Sequence, residues 1–294
     1  MLPILFRLGS FTFYTYTILV DLGVAAGLAW LYFRAPEDKR ERWLDAGLAA
    51  TLGGLAGARL LYAFVNSSYY FGHLVEIFEI WKGGLAWPGA AAGGALGAWV
   101  YCRRKREPFA PIFDALALPI ALLGLLSWGG CLAAACAYGY EVAPGQLPAW
   151  LTLEAPDIYG LTALRFAAQT LGLAWSLVAL ALVWAMRERR WPTGAYGAYA
   201  LSLVALGAFG LAFTRADPMP LVGGYRLDVI GSALVLVAAT GLWGFLVSRK
   251  TPLSNLQSPD ASLTPLPGLA ATPPPSPVLE GQERGEGTGV GGEA

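Results

Sequence analysis

The sequence is poor in charged residues, in cysteine and in histidine. Charged residues make up 14% of its 294 residues and hydrophobic residues 56%, and there is a single histidine. Soluble domains carry about 25% charged residues, so this composition leaves too much apolar surface for a soluble globule. The formal net charge is zero, which gives no reason to expect a nucleic-acid partner.

The three cysteines are too few, and too far from any histidine, to indicate a metal site. Cys102, Cys131 and Cys136 show no CxxC spacing. We therefore predict no disulfide framework, no metal and no cofactor. On one continuous helix, Cys131 and Cys136 would point about 140° apart. We interpret both as small apolar packing residues in preference to a reactive thiol pair.

Long apolar runs, in contrast, are abundant. About 20 apolar residues in a helix span a bilayer core of roughly 30 Å, and the sequence repeats such runs between short charged or Pro/Gly-rich breaks. The third run is glycine-rich, and the fourth is long enough to be kinked at Pro119 or broken near Gly129 and Gly130. We predict an all-α, polytopic integral membrane protein with about seven transmembrane helices. The predicted spans are residues 12–33, 45–65, 84–101, 111–137, 162–186, 193–214 and 229–248.

The positions of lysine and arginine predict the orientation of these helices. Basic clusters follow the first, third, fifth and seventh runs, whereas the intervening loops hold only Lys82, Arg215 and Arg226. Because cytoplasmic loops are enriched in lysine and arginine, we predict the N-terminus outside and the C-terminus in the cytoplasm. The clusters lie within residues 34–42, 103–106, 187–190 and 249–250.

Two segments differ in composition from the predicted spans. Residues 251–294 are rich in proline, serine, threonine and glycine and cannot bury enough apolar area to offset chain entropy. They predict a disordered cytoplasmic tail after a transmembrane domain of residues 1–250. In residues 66–83, aromatic residues and leucine alternate with charged residues, a pattern typical of a helix that lies in the membrane interface on the outer surface.

Four charged residues stand out within the predicted spans, where a charge is costly unless it has a partner. Asp45 and Asp114 lie near cytoplasmic ends, and we interpret them as residues that reach headgroups or cap a helix. Arg59 lies deeper, and its guanidinium either binds a lipid phosphate through paired hydrogen bonds or is buried against backbone carbonyls. Arg165 is interpreted as snorkelling at the outer end of the fifth span.

A glycine-rich segment, residues 83–89, opens the third span. Its glycines could point backbone amides at an anion, as helix N-termini do. Alternatively, they permit close packing between helices.

Several segments, taken in order, resemble the prolipoprotein diacylglyceryl transferase family. The resemblance covers most of residues 9–250. It implies a membrane enzyme that moves a diacylglyceryl group from phosphatidylglycerol to the lipobox cysteine of a prolipoprotein signal peptide, in the bacterial plasma membrane and among membrane lipids. The matching segments are residues 9–16, DAGLAATLGGLAGARLLYAFVN (45–66), EIFEIWKGGLAWPGAAAGG (76–94), the basic loop with Asp114, and RRWPTGAYGAYALSLVALGAFG (189–210).

The family's signature residues are substituted at several positions, which makes the chain a divergent member. The family's histidine is here Pro88, and its arginine-glycine-asparagine box falls on residues 127–139. In that box Trp128, Cys131 and Cys136 replace arginine, asparagine and glutamate. A later arginine and glutamate become Gly210 and Thr214.

The residues that remain define the candidate site. The resemblance implies Tyr16 and Arg59 as catalytic residues, the first as an acid or base and the second as a ligand of phosphate. Arg215, next to a lost carboxylate, partly replaces the missing arginine. The candidate substrate-binding residues are Gly83, Gly84, Gly89, Gly139, Gln169 and Arg215.

Three functions are compatible with the sequence. The first is diacylglyceryl transfer, implied by the resemblance. The second is that of a catalytically inactive or repurposed relative that binds a phospholipid or a signal-peptide helix. A small transporter or channel subunit fits less well, because the spans carry few paired charges and show no inverted repeat.

Overall fold

The computed structural model describes residues 4–9 and 11–249. The predicted tail, residues 251–294, lies outside the described residues. Helices dominate the described part of the chain. They are α1 (Thr15–Arg34), α2 (Arg40–Val65), α3 (Ser67–Tyr70), α4 (Trp87–Lys105), α5 (Phe109–Ala115), α6 (Ala117–Ala134), α7 (Ala168–Ala185), α8 (Ala195–Ala212) and α9 (Leu227–Ser248).

Six of these helices are long and apolar enough to cross a membrane: α1, α2 with its preceding turn from Glu37, α6, α7, α8 and α9. The all-α, multi-pass fold is therefore confirmed. The predicted third span is the helix α4, which does not meet the same criterion. Its sequence is rich in glycine and alanine and ends in three basic residues, which lowers its mean hydropathy.

Glycines bring α4 and α2 into backbone contact. A Cβ added at any one of five glycines would overlap a backbone oxygen of the opposite helix. Their spacing of four residues is the small-xxx-small pattern of closely packed membrane helices. Close packing against α2 therefore requires glycines in α4, and these glycines lower its mean hydropathy. The five residues are Gly53 and Gly57 on α2 and Gly89, Gly93 and Gly97 on α4.

The predicted fourth span consists of two helices, α5 and α6, separated at Leu116. Pro119 has no N–H to donate to the carbonyl of Ala115, four residues earlier. That carbonyl instead accepts a hydrogen bond from Trp30 Nε1 at 3.1 Å. The bend therefore belongs to Pro119, and α6 continues through Gly129 and Gly130 to Ala134.

The described chain also contains three antiparallel hairpins, one before α1 and two between helices: β1 (Ile4–Leu8) with β2 (Phe11–Tyr14), β3 (Thr152–Pro156) with β4 (Thr162–Phe166), and β5 (Leu221–Val222) with β6 (Tyr225–Arg226). They precede α1, α7 and α9 at one end of the bundle, here named the hairpin end. The predicted starts of the first and fifth spans, at residues 12 and 162, are therefore wrong. Short apolar strands resemble buried helix in hydropathy.

We name the opposite end of the bundle the basic end. Two carboxylates there connect neighbouring segments of the chain through hydrogen bonds. Glu107 is buried and accepts hydrogen bonds from Lys39 Nζ at 3.0 Å and Arg42 Nη1 at 2.7 Å. Asp114 accepts from the backbone N–H groups of Gly194 at 2.7 Å and Gly197 at 3.0 Å. Asp114 thus caps the N-terminus of α8, in agreement with its structural interpretation.

Residues 66–83 do not form the single interfacial helix that their composition predicts. They form α3 and two 3-10 turns, Leu74–Phe78 and Ile80–Lys82. The physical reason is that carbonyls in this segment accept hydrogen bonds from the Arg59 side chain. The segment is therefore an ordered loop that wraps around Arg59.

Candidate functional site

The predicted site residues all lie at the hairpin end, where the structure divides them into two groups. Arg59, Gly83, Gly84 and Gly89 lie between α2 and the start of α4. Tyr16, Gly139, Gln169 and Arg215 lie around the ends of α6 and α8 and the starts of α1 and α7.

Arg59 is 4% exposed and is surrounded by backbone carbonyls. Its Nε donates to the Ile77 carbonyl at 2.9 Å. Its Nη1 donates to the carbonyls of Gly83 at 2.5 Å and Gly84 at 3.2 Å, and its Nη2 to those of Glu76 and Glu79. These contacts use all five N–H groups of the guanidinium. Of the two interpretations of Arg59, the geometry is that of the arginine buried against carbonyls. We name this group the Arg59 shell.

Gly83 and Gly84 shape the Arg59 shell through their backbone. Both have positive φ, 84° and 73°, a region that favours glycine. A Cβ at Gly84 would lie 2.7 Å from Arg59 Nη1. The sequence suggested amides that point at an anion, but here the two carbonyls point at a cation. Gly89, one turn further, makes the close contact with Gly57 described above.

Tyr16 lies in the first turn of α1 and is 38% exposed. Its ring packs against α6, and its phenol lies within electrostatic range of the Arg215 guanidinium. Gly130 leaves room for the Tyr16 ring, because a Cβ there would lie 3.0 Å from Tyr16 Cδ2. Tyr16 and Arg215 are thus brought together although 199 residues separate them in the chain.

Arg215 belongs to a cluster of four charged side chains that the sequence analysis missed, here named the RxD cluster. Arg215 forms two hydrogen bonds with the Asp217 carboxylate, at 2.8 and 2.6 Å. Arg226 forms two with Asp228, at 3.1 and 2.9 Å, and a third with the Asp217 carbonyl at 3.0 Å. The signal in the sequence is Arg-x-Asp repeated on either side of the β5–β6 hairpin.

Burial differs across the RxD cluster. The Asp228 side chain is 1% exposed, whereas those of Arg215 and Arg226 are 18% and 24% exposed. Burial alone would lower the pKa of the Arg226 guanidinium, but its hydrogen bond and attraction to Asp228 raise that pKa overall. Arg226 therefore stays charged, and both guanidinium groups remain partly exposed.

Gly139 and Gln169 support the backbone beside Arg215. Gly139 pairs with Arg215 in an antiparallel bridge, and a Cβ at Gly139 would overlap the Phe166 carbonyl oxygen. Gln169 is 1% exposed and donates from Nε2 to the Cys136 carbonyl at 3.0 Å.

Two expectations for this region are wrong. Cys131 and Cys136 form a disulfide, because α6 ends at Ala134 and the chain turns back, so the two residues do not share a continuous helix. Arg165 does not snorkel from the end of a span. It lies on β4, is 3% exposed, and bonds to the Ala155 carbonyl at 3.2 Å and to Glu141 at 2.8 Å.

The two groups meet through the first turns of α9. Trp87 Nε1, at the start of α4, donates to Ser232 Oγ at 3.1 Å. Pro88 packs against Gly231. Ser232 lies one turn after Asp228 of the RxD cluster.

Within residues 4–9 and 11–249, no group of three or more His, Cys, Asp or Glu residues is placed to hold a metal ion.

The chain is similar to known proteins over most of its length. Residues 3–245 match the family described as prolipoprotein diacylglyceryl transferase. A phosphatidylglycerol–prolipoprotein diacylglyceryl transferase of Streptomyces coelicolor is 31% identical over 267 residues, which cover 85% of this chain and 81% of the relative. A protein of the same name from Gloeobacter violaceus is 31% identical over 253 residues, 82% and 91% of the two chains. One from Cutibacterium acnes is 29% identical over 251 residues, 80% and 81% of the two chains.

Proposed function

Since the chain belongs to the prolipoprotein diacylglyceryl transferase family, we propose that it transfers a diacylglyceryl group from phosphatidylglycerol to the lipobox cysteine of a prolipoprotein. The sulfur would attack the glyceryl carbon that carries the phosphate. The carbon–oxygen bond to the phosphate breaks, glycerol phosphate leaves with the electron pair, and the thiol proton passes to a base. The product is a thioether on the peptide.

The observation that carries this proposal is that Tyr16 packs against Gly130 near the end of α6, while Gly139, just after that end, pairs with Arg215, so that both side chains lie at the same end of the bundle. The reaction requires a group that handles a proton and a group that stabilises the departing phosphate. The Tyr16 phenol, on a residue that is 38% exposed, supplies the first. Arg215 supplies the second when a phosphate replaces Asp217 on its paired N–H groups, since guanidinium binds phosphate and carboxylate with the same geometry.

The other predicted residues take supporting roles in this proposal. The Arg59 guanidinium donates its hydrogen bonds to backbone carbonyls, so in this proposal it holds the loop of residues 76–84 in place next to α4. Gly83, Gly84 and Gly89 allow that loop and helix to come close. Gly139 and Gln169 hold the backbone opposite Arg215, and through it they would shape the substrate site.

The location follows from the same arrangement. The chain is a multi-pass membrane protein, and we place it in the bacterial plasma membrane with the hairpin end outside. The exposed lysines and arginines of the basic end then lie in the cytoplasm. Phosphatidylglycerol would reach the site from the surrounding membrane lipids, and the prolipoprotein signal peptide would cross the bilayer beside the bundle.

A second candidate function is phospholipid binding without transfer. The specific observation in its favour is that the Arg215 and Arg226 side chains keep 18% and 24% exposure, whereas Arg59 donates its N–H groups to carbonyls. A lipid phosphate would then be held at the RxD cluster without a reaction.

The test uses the full chain reconstituted in phosphatidylglycerol vesicles with a synthetic lipobox peptide. We expect the peptide to gain the mass of one diacylglyceryl group, with release of an equal amount of glycerol phosphate. Tyr16→Phe should lower the rate by roughly 10²-fold or more, whereas Tyr14→Phe, an exposed tyrosine two residues away, should not. No mass gain where an active relative works would reject transfer. Retention of phosphatidylglycerol in native mass spectrometry would then support the binding function.

A further inference from the structure

The turn that ends α6 is held by a disulfide that the proposed reaction does not use. Cys131 lies in the last turn of the helix and Cys136 just after it, with 4.6 Å between their Cα atoms. The Cys136 N–H donates to the Cys131 carbonyl at 3.0 Å. Both cysteines are half-buried, so a small reductant can reach them.

The backbone of this turn is unfavourable without a constraint. Ala135 and Ala137, on either side of Cys136, have φ of 59° and 54°. This left-handed region crowds the Cβ of an L-residue, and helices usually end there with glycine. A bond between Cys131 and Cys136 removes the extended alternatives to this conformation and so maintains the turn.

The turn sets the position of the strand-like segment that follows it. The Tyr138 carbonyl accepts from the Ala216 N–H at 2.9 Å, and the Tyr140 N–H donates to the Thr214 carbonyl at 3.1 Å. Gly139 lies opposite Arg215. Residues 138–140 thus hold the backbone on both sides of Arg215, and Gln169 fixes the turn itself through the Cys136 carbonyl.

We propose that the Cys131–Cys136 disulfide is a redox modification site that controls the position of Arg215. A dithiol reductant donates two electrons and two protons, the S–S bond becomes two thiols, and the reductant becomes a disulfide. The turn then relaxes, residues 138–140 lose their register with residues 214–216, and Arg215 moves relative to Tyr16. The effect on activity rests on the proposed function, but the effect on the backbone does not.

This site also bears on orientation. Disulfides persist on the oxidising side of a membrane, so the hairpin end belongs outside the cytoplasm. The positions of lysine and arginine predict the same orientation from independent residues.

The first measurement is the redox state of the cysteines. The full chain is purified without reductant, alkylated and analysed by mass spectrometry. Cys131 and Cys136 should react only after treatment with a dithiol. Their alkylation without reductant would overturn the proposal.

The second measurement is hydrogen exchange of the oxidised and reduced chain. On reduction, the amides of Cys136, Tyr140 and Ala216 should exchange roughly tenfold faster or more, as expected for local opening, while those of α2 and α4 stay unchanged. Oxidised glutathione should restore the slow rates. Cys102→Ala, which removes the buried cysteine outside the disulfide, should respond like the unmodified chain. Cys131→Ser/Cys136→Ser should exchange fast in both conditions.

Equal exchange rates of these amides before and after reduction would overturn the proposal. A uniform increase in exchange rate over all helices would also overturn it, because the disulfide would then only stabilise the whole fold. In the transfer assay, reduction should lower kcat by several-fold with a smaller change in KM. If neither form transfers but the local exchange changes, the proposed function fails and the redox site stands.

Discussion

The two ends of the bundle treat their arginines in opposite ways. At the hairpin end, Arg7 is exposed, but the other four arginines are buried or half-buried and bond to carbonyls or carboxylates: Arg59, Arg165, Arg215 and Arg226. At the basic end, most are exposed on helix ends and loops: Arg34, Arg42, Arg103, Arg104, Arg106, Arg187, Arg189, Arg190 and Arg249.

This difference in burial has a physical basis in how each guanidinium group is solvated. An exposed guanidinium is solvated by water and headgroups, so its neighbours matter little. A buried one must find partners for each N–H group, or folding costs several kcal/mol. The exposed arginines thus report orientation, whereas the buried ones organise the site. Each of the following variants tests one side of this contrast.

Arg59→Ala should have the largest effect. It removes the side-chain donor of the Ile77, Gly83 and Gly84 carbonyls, and each buried group that loses its hydrogen bond costs about 1–3 kcal/mol, so we expect a loss of at least about 3 kcal/mol. The measurement is thermal unfolding of the full chain in detergent. Arg104→Ala, at an exposed position of the basic end, is the control, with a change within about 0.5 kcal/mol. Equal melting of the two variants would contradict the structural role of the Arg59 shell.

Arg215→Ala should separate activity from stability. We expect transfer to fall by roughly 10²- to 10³-fold, as when one stabilising donor is removed from a reacting oxyanion. The melting temperature should change little, because Arg226 still lies 3.6 Å from the Asp217 carboxylate. Asp217→Asn should have the opposite effect on lipid retention in native mass spectrometry, since it frees Arg215 for a phosphate. A large loss of stability in Arg215→Ala with normal transfer would assign Arg215 to the fold and not to the site.

Asp114→Ala tests the carboxylate of the basic end that has no arginine. It removes the acceptor of the Gly194 and Gly197 N–H groups, and loss of a helix cap costs about 1 kcal/mol. Asp45→Ala is the matched control, because Asp45 is exposed and accepts a hydrogen bond from the side-chain hydroxyl of Tyr101 at 2.9 Å, not from a helix N-terminus. A melting temperature of Asp114→Ala no lower than that of Asp45→Ala would show that the cap is replaced by water.

Much of the fold could be predicted from the sequence, because a bilayer imposes one strong rule on composition. Long apolar runs identify six helices. The rule is less informative at their ends, where Phe11–Tyr14 and Thr162–Phe166 are apolar strands. A strict hydropathy criterion also excludes α4, which the sequence predicts as a short third span and whose glycines contact α2. The end of α6 carries no glycine, so the turn at Ala135 and the disulfide across it left no signal in the pattern.

The candidate site could be predicted only in part, for a related reason. Tyr16 and Arg215 were predicted through the family resemblance, and nothing in their local sequence pairs them with each other. The partners of Arg59 are carbonyls, which every residue has, so no side-chain pattern could reveal them. The Arg-x-Asp repeats were visible, but only the β5–β6 hairpin brings Asp217 and Arg226 together. The types of the side chains do not predict such clusters, because the path of the backbone determines which groups lie close together.

The smallest effect should come from Glu107, which tests whether any charge at the basic end is more than a surface feature. Hydrogen bonds from Arg42 and Lys39 lower the pKa of the Glu107 carboxyl. A carboxyl with a lowered pKa stabilises the fold above its unfolded value, about 4.3 for glutamate, and that stabilisation is lost as the pH falls through the lowered value. Glu107→Gln should therefore melt below the unmodified chain at pH 7, and the two should converge as the pH falls below about 4. Because Arg42 is largely exposed, we expect a difference of about 1 kcal/mol or less. A difference in melting temperature that grows on acidification would mean that the fold stabilises the neutral form of Glu107, contrary to its hydrogen bonds with Arg42 and Lys39.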